Sequence, residues 1–158
     1  MADGGLLALY RRLQRWPAGG WLFSRAVCFR APYFRSIRPR IVELDAGRCV
    51  VEFDDRRSVR NHLGSVHAIA LCNAAELAAG LCSDVSLPAS MRWIPKGMDV
   101  QYLAKAHGRM RASAQPAIAA VDAAQPYELP VEVDVVDPKG VVVFHARVRM
   151  WVSPKPAR

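Results

Sequence analysis

The chain has 158 residues, of which 52% belong to the set AVILMFWYC and 23% are charged. That length supports one domain with its own core, without disulfides or a metal to hold it, and the composition excludes wholesale disorder. Lys and Arg number 22 against 14 Asp and Glu, a net charge of +8; this suits nucleic acid, an acidic membrane surface or a phosphate-bearing ligand without choosing among them.

Residues 6–16, LLALYRRLQRW, place Leu6, Leu9, Leu13 and Trp16 on one side and Arg11, Arg12 and Arg15 elsewhere. The spacing predicts an amphipathic helix, ended by Pro17, Gly19 and Gly20, with a second helix over about 20–30 that stops before Pro32. Eight arginines and no acid fall between Leu6 and Arg40. Such an arm is either a binding surface or a helical cover over a sheet with a solvated basic face. The opening MADGG carries no basic n-region, and no nearby apolar stretch is long enough for a signal h-region. No stretch approaches the 18 apolar residues of a membrane span. Cys28, Cys49, Cys72 and Cys82 form no CxxC pair, and no His cluster completes a zinc spacing, so no metal is expected. The expectation is a cytoplasmic protein with free thiols and no integral membrane association.

From Pro39 the pattern changes to strands. Residues 40–44 and 48–53 flank Asp45-Ala46-Gly47 as a hairpin. The polar DDRRSVRNH follows, then one apolar run from Val66 to about Leu81. Strands are expected at about 91–95, 99–107, 109–115, 129–136 and 141–152. In the last, Val142, Phe144, Ala146, Val148, Met150 and Val152 alternate with their neighbours. Asp137-Pro138-Lys139-Gly140 joins the last two strands as a turn. This order predicts an α+β fold, an antiparallel sheet with one long helix on its face. The divisions are a helical extension at 1–38, the main domain at 39–153 and a frayed tail at 154–158.

The long helix carries the chemistry. Ser65 is the expected N-cap, after Gly64. Almost every later position is small or apolar, which marks a helix buried all round. It holds one acid, Glu76. A lone carboxylate there costs free energy unless it is paired, hydrogen-bonded or protonated, so it is a candidate catalytic group. The alternative is a structural carboxylate satisfied by Asn73 or a strand.

Asn61-x-x-Gly64-Ser65-x-His67, with Glu76 nine residues after the His, resembles the signature of hotdog-fold acyl-CoA thioesterases, in particular the phenylacetate-pathway and 4-hydroxybenzoyl-CoA branches. VRNHLGSVHAIALCNAAELAAG is similar to an uncharacterised thioesterase-like branch of that superfamily. The resemblance covers roughly 35–155. Two departures stand out. His67-Ala68-Ile69 replaces His-Gly-Gly, which keeps a backbone N–H but adds bulk. Gly80 stands where the 4-hydroxybenzoyl-type enzymes carry a Thr.

The resemblance implies a thioester hydrolase acting on coenzyme A esters, with no other cofactor. The Ala68 N–H at the helix start would hold the developing oxyanion. Glu76 would be general base or nucleophile. Ala68 and Glu76 are eight residues apart, roughly 12 Å along one helix, so one carbonyl cannot meet both. An antiparallel pair of helices in a two-fold dimer would bring Ala68 of one subunit to Glu76 of the other. A homodimer is therefore the minimum, packing further into a homotetramer, a dimer of dimers. Asn61 resembles the family Asn that positions water or thioester, or is a turn residue. His67 lies near the thioester or is structural. Gly64 takes a loop conformation beside the coenzyme A site. Arg57, Arg60, Arg92, Lys96 and Lys105 are the candidates for its phosphates.

Three rivals remain open. A non-catalytic acyl or coenzyme A binder could share the fold. A nucleic-acid binder would suit the charge, but no RNP, KH, zinc-finger or helix-turn-helix pattern supports it, and nucleic acid is not the expected partner. A hotdog dehydratase would need a His-Phe-Pro-Gly signature that the chain lacks.

Overall fold

Helices α1 (Gly4–Leu13) and α2 (Gly19–Arg30) form a hairpin. The computed structural model describes residues 4–156. Tyr10 and Phe23 meet edge to face across the hairpin at 5.0 Å. Helix α1 stops three residues sooner than its periodicity predicts: the residue before a proline avoids helical backbone, so Trp16 sits in a turn and is 70% exposed. Helix α2 is fixed to the sheet through buried Ser24. Its hydroxyl donates to the Gly20 carbonyl (2.7 Å) and accepts the Ile41 N–H (2.9 Å). A 3-10 turn over Pro32–Ile37 then leads to Arg38.

Six strands, β1 (Arg40–Asp45), β2 (Arg48–Phe53), β3 (Met91–Tyr102), β4 (Met110–Pro116), β5 (Tyr127–Val136) and β6 (Val142–Pro154), form one sheet in the order β1-β2-β4-β5-β6-β3. All neighbours run antiparallel. The first hairpin turns at Gly47, whose φ of +81° favours glycine. In β6 the alternation holds from Phe144 through Ala146, Val148 and Met150 to Val152, all buried, but Val142 is exposed and Val143 buried, where the pairing with β5 shifts register between Val135 and Val136. The strands expected at 91–95 and 99–107 are one continuous β3, with a bulge between Pro95 and Gly97 that shifts its side-chain parity and so breaks the alternation in sequence. A Cβ at Gly97 would come 2.5 Å from Arg149 Nη2. The chain from 103 to 109 is loop. At the other end, β6 runs through Pro154, and the Lys155 N–H donates to the Ser90 carbonyl (2.7 Å), so this stretch is tied down where fraying is expected; residues 157–158 lie outside the described part.

Helix α3 (Ala68–Ser86) packs against all six strands. Its length and composition would suffice for a membrane span, contrary to the sequence reading, yet most of it is the core of this fold. Leu71, Leu77, Leu81 and Val85 are buried against the sheet; truncating such a leucine to alanine typically costs about 2–5 kcal/mol. An antiparallel sheet laid on one long central helix is the hotdog architecture. Strand β3 is a twelve-residue edge, paired on one side only, to β6.

Candidate functional site at the start and open face of helix α3

The loop before α3 is built around Asn61. Its carboxamide oxygen accepts the N–H groups of Leu63 (3.0 Å) and Ser65 (3.2 Å), and its nitrogen donates to the Ser65 hydroxyl (2.9 Å). Asn61 is thus the organiser of the turn. Gly64 takes φ +79° within it. The loop is pinned at both ends, by Val66 N–H to the Ala106 carbonyl (2.9 Å) and His67 N–H to the Val59 carbonyl (2.8 Å).

Ser65 is not the cap, because Asn61 engages its hydroxyl. The N-cap is His67, whose Nδ1 accepts the Ile69 N–H at 3.0 Å. That bond requires an unprotonated Nδ1, so the proton of the neutral ring sits on Nε2. The His67 carbonyl takes the Ala70 N–H. The first N–H groups of a helix have no partner within it. Here the Ile69 and Ala70 donors are engaged, and the Ala68 N–H has no partner among the described residues. The helix start therefore offers one free donor at the positive end of its dipole.

Glu76 differs from the sequence expectation. It is exposed within the protomer and makes no hydrogen bond or ion pair among the described residues. The helix is not buried all round. Ile69, Cys72 and Glu76 recur at helical spacing on a stripe that this protomer leaves open, and Ile69 is 54% exposed. Strand β3 borders that stripe at both ends. The Tyr102 hydroxyl lies 3.5 Å from Cys72 Sγ. Trp93 covers Gly80 and donates from Nε1 to Asp84 (3.3 Å). Burial of the helix was inferred from its composition, and composition does not say that one stripe waits for another surface.

The cationic candidates are scattered. Arg60 is held by Asp55 at 2.7 Å, and Asp55 also accepts the Gly108 N–H. Arg92, on the edge strand, donates to Ser153 of β6, and Lys96 lies 3.6 Å over the Trp151 ring. Arg60 borders a hollow of about 180 Å³ that also touches Ser36, His67, Ile69 and Asn73 beside the helix start. Asn73 is buried, donates to Ser36 Oγ (2.8 Å), and leaves its carboxamide oxygen without a partner. Asp55 and Trp93 are not picked out by the sequence, their only signals being the acid pair before RRSVRN and the tryptophan-bearing strand after the helix; Asn73, the alternative partner for Glu76, bonds Ser36 instead.

The model of a family described as a domain of unknown function, DUF4442, matches residues 19–152. A crystal structure of a genomics target, whose name states no function, is 45% identical with a TM-score of 0.80, covering 95% of this chain and 99% of its own. A Pseudomonas aeruginosa protein of unknown function, called a probable thioesterase, is 24% identical over 79% of this chain and 88% of its own, with a TM-score of 0.68. A thioesterase family protein from Silicibacter pomeroyi is 15% identical over 86% and 100%, also at 0.68. At such identities these last two speak for the fold. No curated protein matches the chain.

Proposed function

Since this chain belongs to the DUF4442 family and has the hotdog fold of thioesterase-family proteins, we propose that it is a thioester hydrolase acting on coenzyme A thioesters in a two-fold dimer. The observation that carries the reading is the presence on one helix of an Ala68 N–H and an exposed Glu76, both without a partner among the described residues. The two groups are roughly 12 Å apart along the axis, too far for one thioester. The open stripe of α3 and the free edge of β3 form one continuous uncovered region, and an edge of that length invites a second copy. An antiparallel partner helix brings Glu76 of the partner subunit to the Ala68 end.

The chemistry then needs few parts. The thioester carbonyl oxygen accepts the Ala68 N–H, which strengthens as negative charge develops there. The partner's Glu76 takes a proton from water, the water oxygen attacks the carbonyl carbon, and the C–S bond breaks as the tetrahedral intermediate collapses. The thiolate leaves and is protonated. His67 positions the donor by capping the helix. Asn61 and Gly64 hold the loop that aims it.

The test is a panel of acyl-CoA thioesters assayed for free thiol, with Glu76→Ala alongside and sedimentation to follow assembly. Hydrolysis that vanishes in the variant while ligand binding persists supports the reading. Binding without turnover in the native protein would make it a carrier instead. Full activity in monomers isolated by dilution would remove the shared site.

A further inference from the structure

Seven of the eight arginines between Leu6 and Arg40 are exposed, as expected of a helical cover with a solvated basic face, yet some of them converge. Arg25, Arg35, Arg38, Arg40 and Arg56 line one concavity of about 710 Å³ between α2 and the start of the sheet, with Trp21 at its side. Among the described residues no Asp or Glu lines it. Among the described residues only Arg40 of the five is ion-paired, to Asp54 (3.2 Å) and Glu52 (3.8 Å). Arg56 donates to Ser58 Oγ and to the Ser36 carbonyl, and its Nε is buried without a partner. Burial, and then the neighbouring Arg38 charge, push the Arg56 guanidinium below its ordinary range. Arg38 itself is the one non-glycine residue at positive φ among those described (+49°), a backbone conformation that L residues avoid. Unpaired like charges gathered in one hollow repel unless something neutralises them.

This hollow continues into the small one beside the helix start. Ser36 and Ser58 line both. Ser36 links the two chemically, accepting from Arg56 through its carbonyl and from Asn73 through its hydroxyl. Arg56, which lines the first hollow, and Asn73, which lines the second, each carry one buried polar atom without a partner among the described residues, a donor (Arg56 Nε) and an acceptor (Asn73 Oδ1). Guanidinium forks match phosphate oxygens in geometry and charge.

We propose that the arginine concavity is a phosphate site that takes the nucleotide end of a coenzyme A thioester, with the pantetheine arm crossing Ser36 and Ser58 to the start of α3. The identity of the ligand rests on the thioesterase reading; the phosphate chemistry does not. Asn73 accepts an amide N–H of the arm, and the exposed Trp21 indole, with the Arg25 guanidinium 5.8 Å over one face, offers its other face to the adenine. The phosphate contacts thus fall to Arg35, Arg38 and Arg56 rather than to Arg92 and Lys96, which lie on the edge strand.

Calorimetric titration with free coenzyme A, dephospho-coenzyme A, pantetheine and inorganic pyrophosphate tests this on the wild type, on Glu76→Ala and on Arg35→Gln/Arg38→Gln. Both of those arginines are exposed, and neither side chain makes a hydrogen bond among the described residues, so the double variant should fold; Arg56→Gln is the second variant, and circular dichroism checks both. Coenzyme A should bind the wild type and Glu76→Ala equally, and the double variant at least about tenfold more weakly, with pyrophosphate following the same order. Pantetheine should not discriminate between them. Equal coenzyme A affinity in the wild type and both arginine variants overturns the site. Binding of phosphatidylglycerol vesicles without binding of coenzyme A or pyrophosphate also overturns it, and assigns the arginines to a lipid headgroup. Coenzyme A binding that depends on the arginines, with no thioester hydrolysed, sinks the hydrolase reading and leaves the phosphate site standing.

Discussion

The rim of the Trp93 indole meets the one glycine in the middle of helix α3: a Cβ at Gly80 would stand 3.0 Å from the indole Cη2. Gly80 is one turn beyond Glu76, where the resembling enzymes carry a polar side chain. Here strand β3 fills that volume with an aromatic ring, tied down by its bond to Asp84. A larger residue must displace the indole or the helix. Gly80→Thr should therefore lower stability by about 1–3 kcal/mol, the usual cost of overpacking. Combining it with Trp93→Ala should recover part of that loss, so the two changes should be non-additive in urea denaturation. Additive effects would mean that the ring does not press on position 80.

Glu76 is exposed and makes no hydrogen bond or ion pair among the described residues. Glu76→Ala should therefore leave the urea midpoint nearly unchanged, within about 0.5 kcal/mol. Turnover should fall by about 10²–10⁴-fold, as expected for loss of a positioned base. A carboxylate that stabilised the core would show the opposite pattern, with lost stability and modest kinetic change. Measuring both quantities on one preparation separates the two.

What could be read from residues alone follows from periodicity. Phe144 to Val152 alternate cleanly because β6 is flanked on both sides and packs one face on the helix. The hairpin at Asp45-Ala46-Gly47 was legible because its turn needs positive φ. Strand β3 was read as two pieces because its bulge changes parity midway. Ser65 was the natural cap by residue type, but Asn61 four residues earlier competes for its hydroxyl, leaving the cap to His67. The open stripe around Glu76 was illegible for a deeper reason: apolar residues awaiting a second surface look the same in sequence as residues already buried. Convergence of Arg35, Arg38 and Arg56 depends on the 3-10 turn at Pro32–Ile37, which no periodic pattern announces.

His67 caps α3 through Nδ1. His67→Ala should cost about 1 kcal/mol, the usual value of an N-cap, and His67→Asn should restore most of it. Thermal unfolding measures both. If the cap also aims the Ala68 N–H, the asparagine variant should recover kcat as well as stability, whereas a histidine acting directly on substrate would not be rescued.

Acid should weaken the fold through Asp54 and Asp55. The Arg109 hydrogen bond, helped by Arg40, holds the Asp54 carboxyl below its usual range. Burial alone would raise Asp55, but the Arg60 hydrogen bond and the Gly108 N–H outweigh it and hold it low. Both folded values lie below the unfolded one, so their stabilisation is complete above about pH 4 and is lost as pH falls from there through the folded values. Asp55, with a side chain 7% exposed, should contribute more than the half-exposed Asp54, whose pairs water screens. Urea midpoints taken from neutral to acidic pH should fall less steeply in Asp55→Asn. An unchanged slope would remove Asp55 from the account.

The four thiols differ sharply in reach. Cys28, Cys49 and Cys82 are buried, and burial pushes the thiols of all three up, Cys82 to about 11. Since the thiolate is the reactive form, these should resist alkylation until the protein unfolds. Cys72 is half-buried on the open stripe, beside the Tyr102 hydroxyl. The shared hydrogen bond and burial push that phenol up to about 12. Iodoacetamide should therefore modify Cys72 first, as peptide mapping would report. Because Cys72 lies one turn before Glu76 on the face assigned to a second copy, labelling should slow as protein concentration rises. Label first found at Cys49 or Cys82, or a Cys72 rate independent of concentration, would mean that this face stays uncovered in solution.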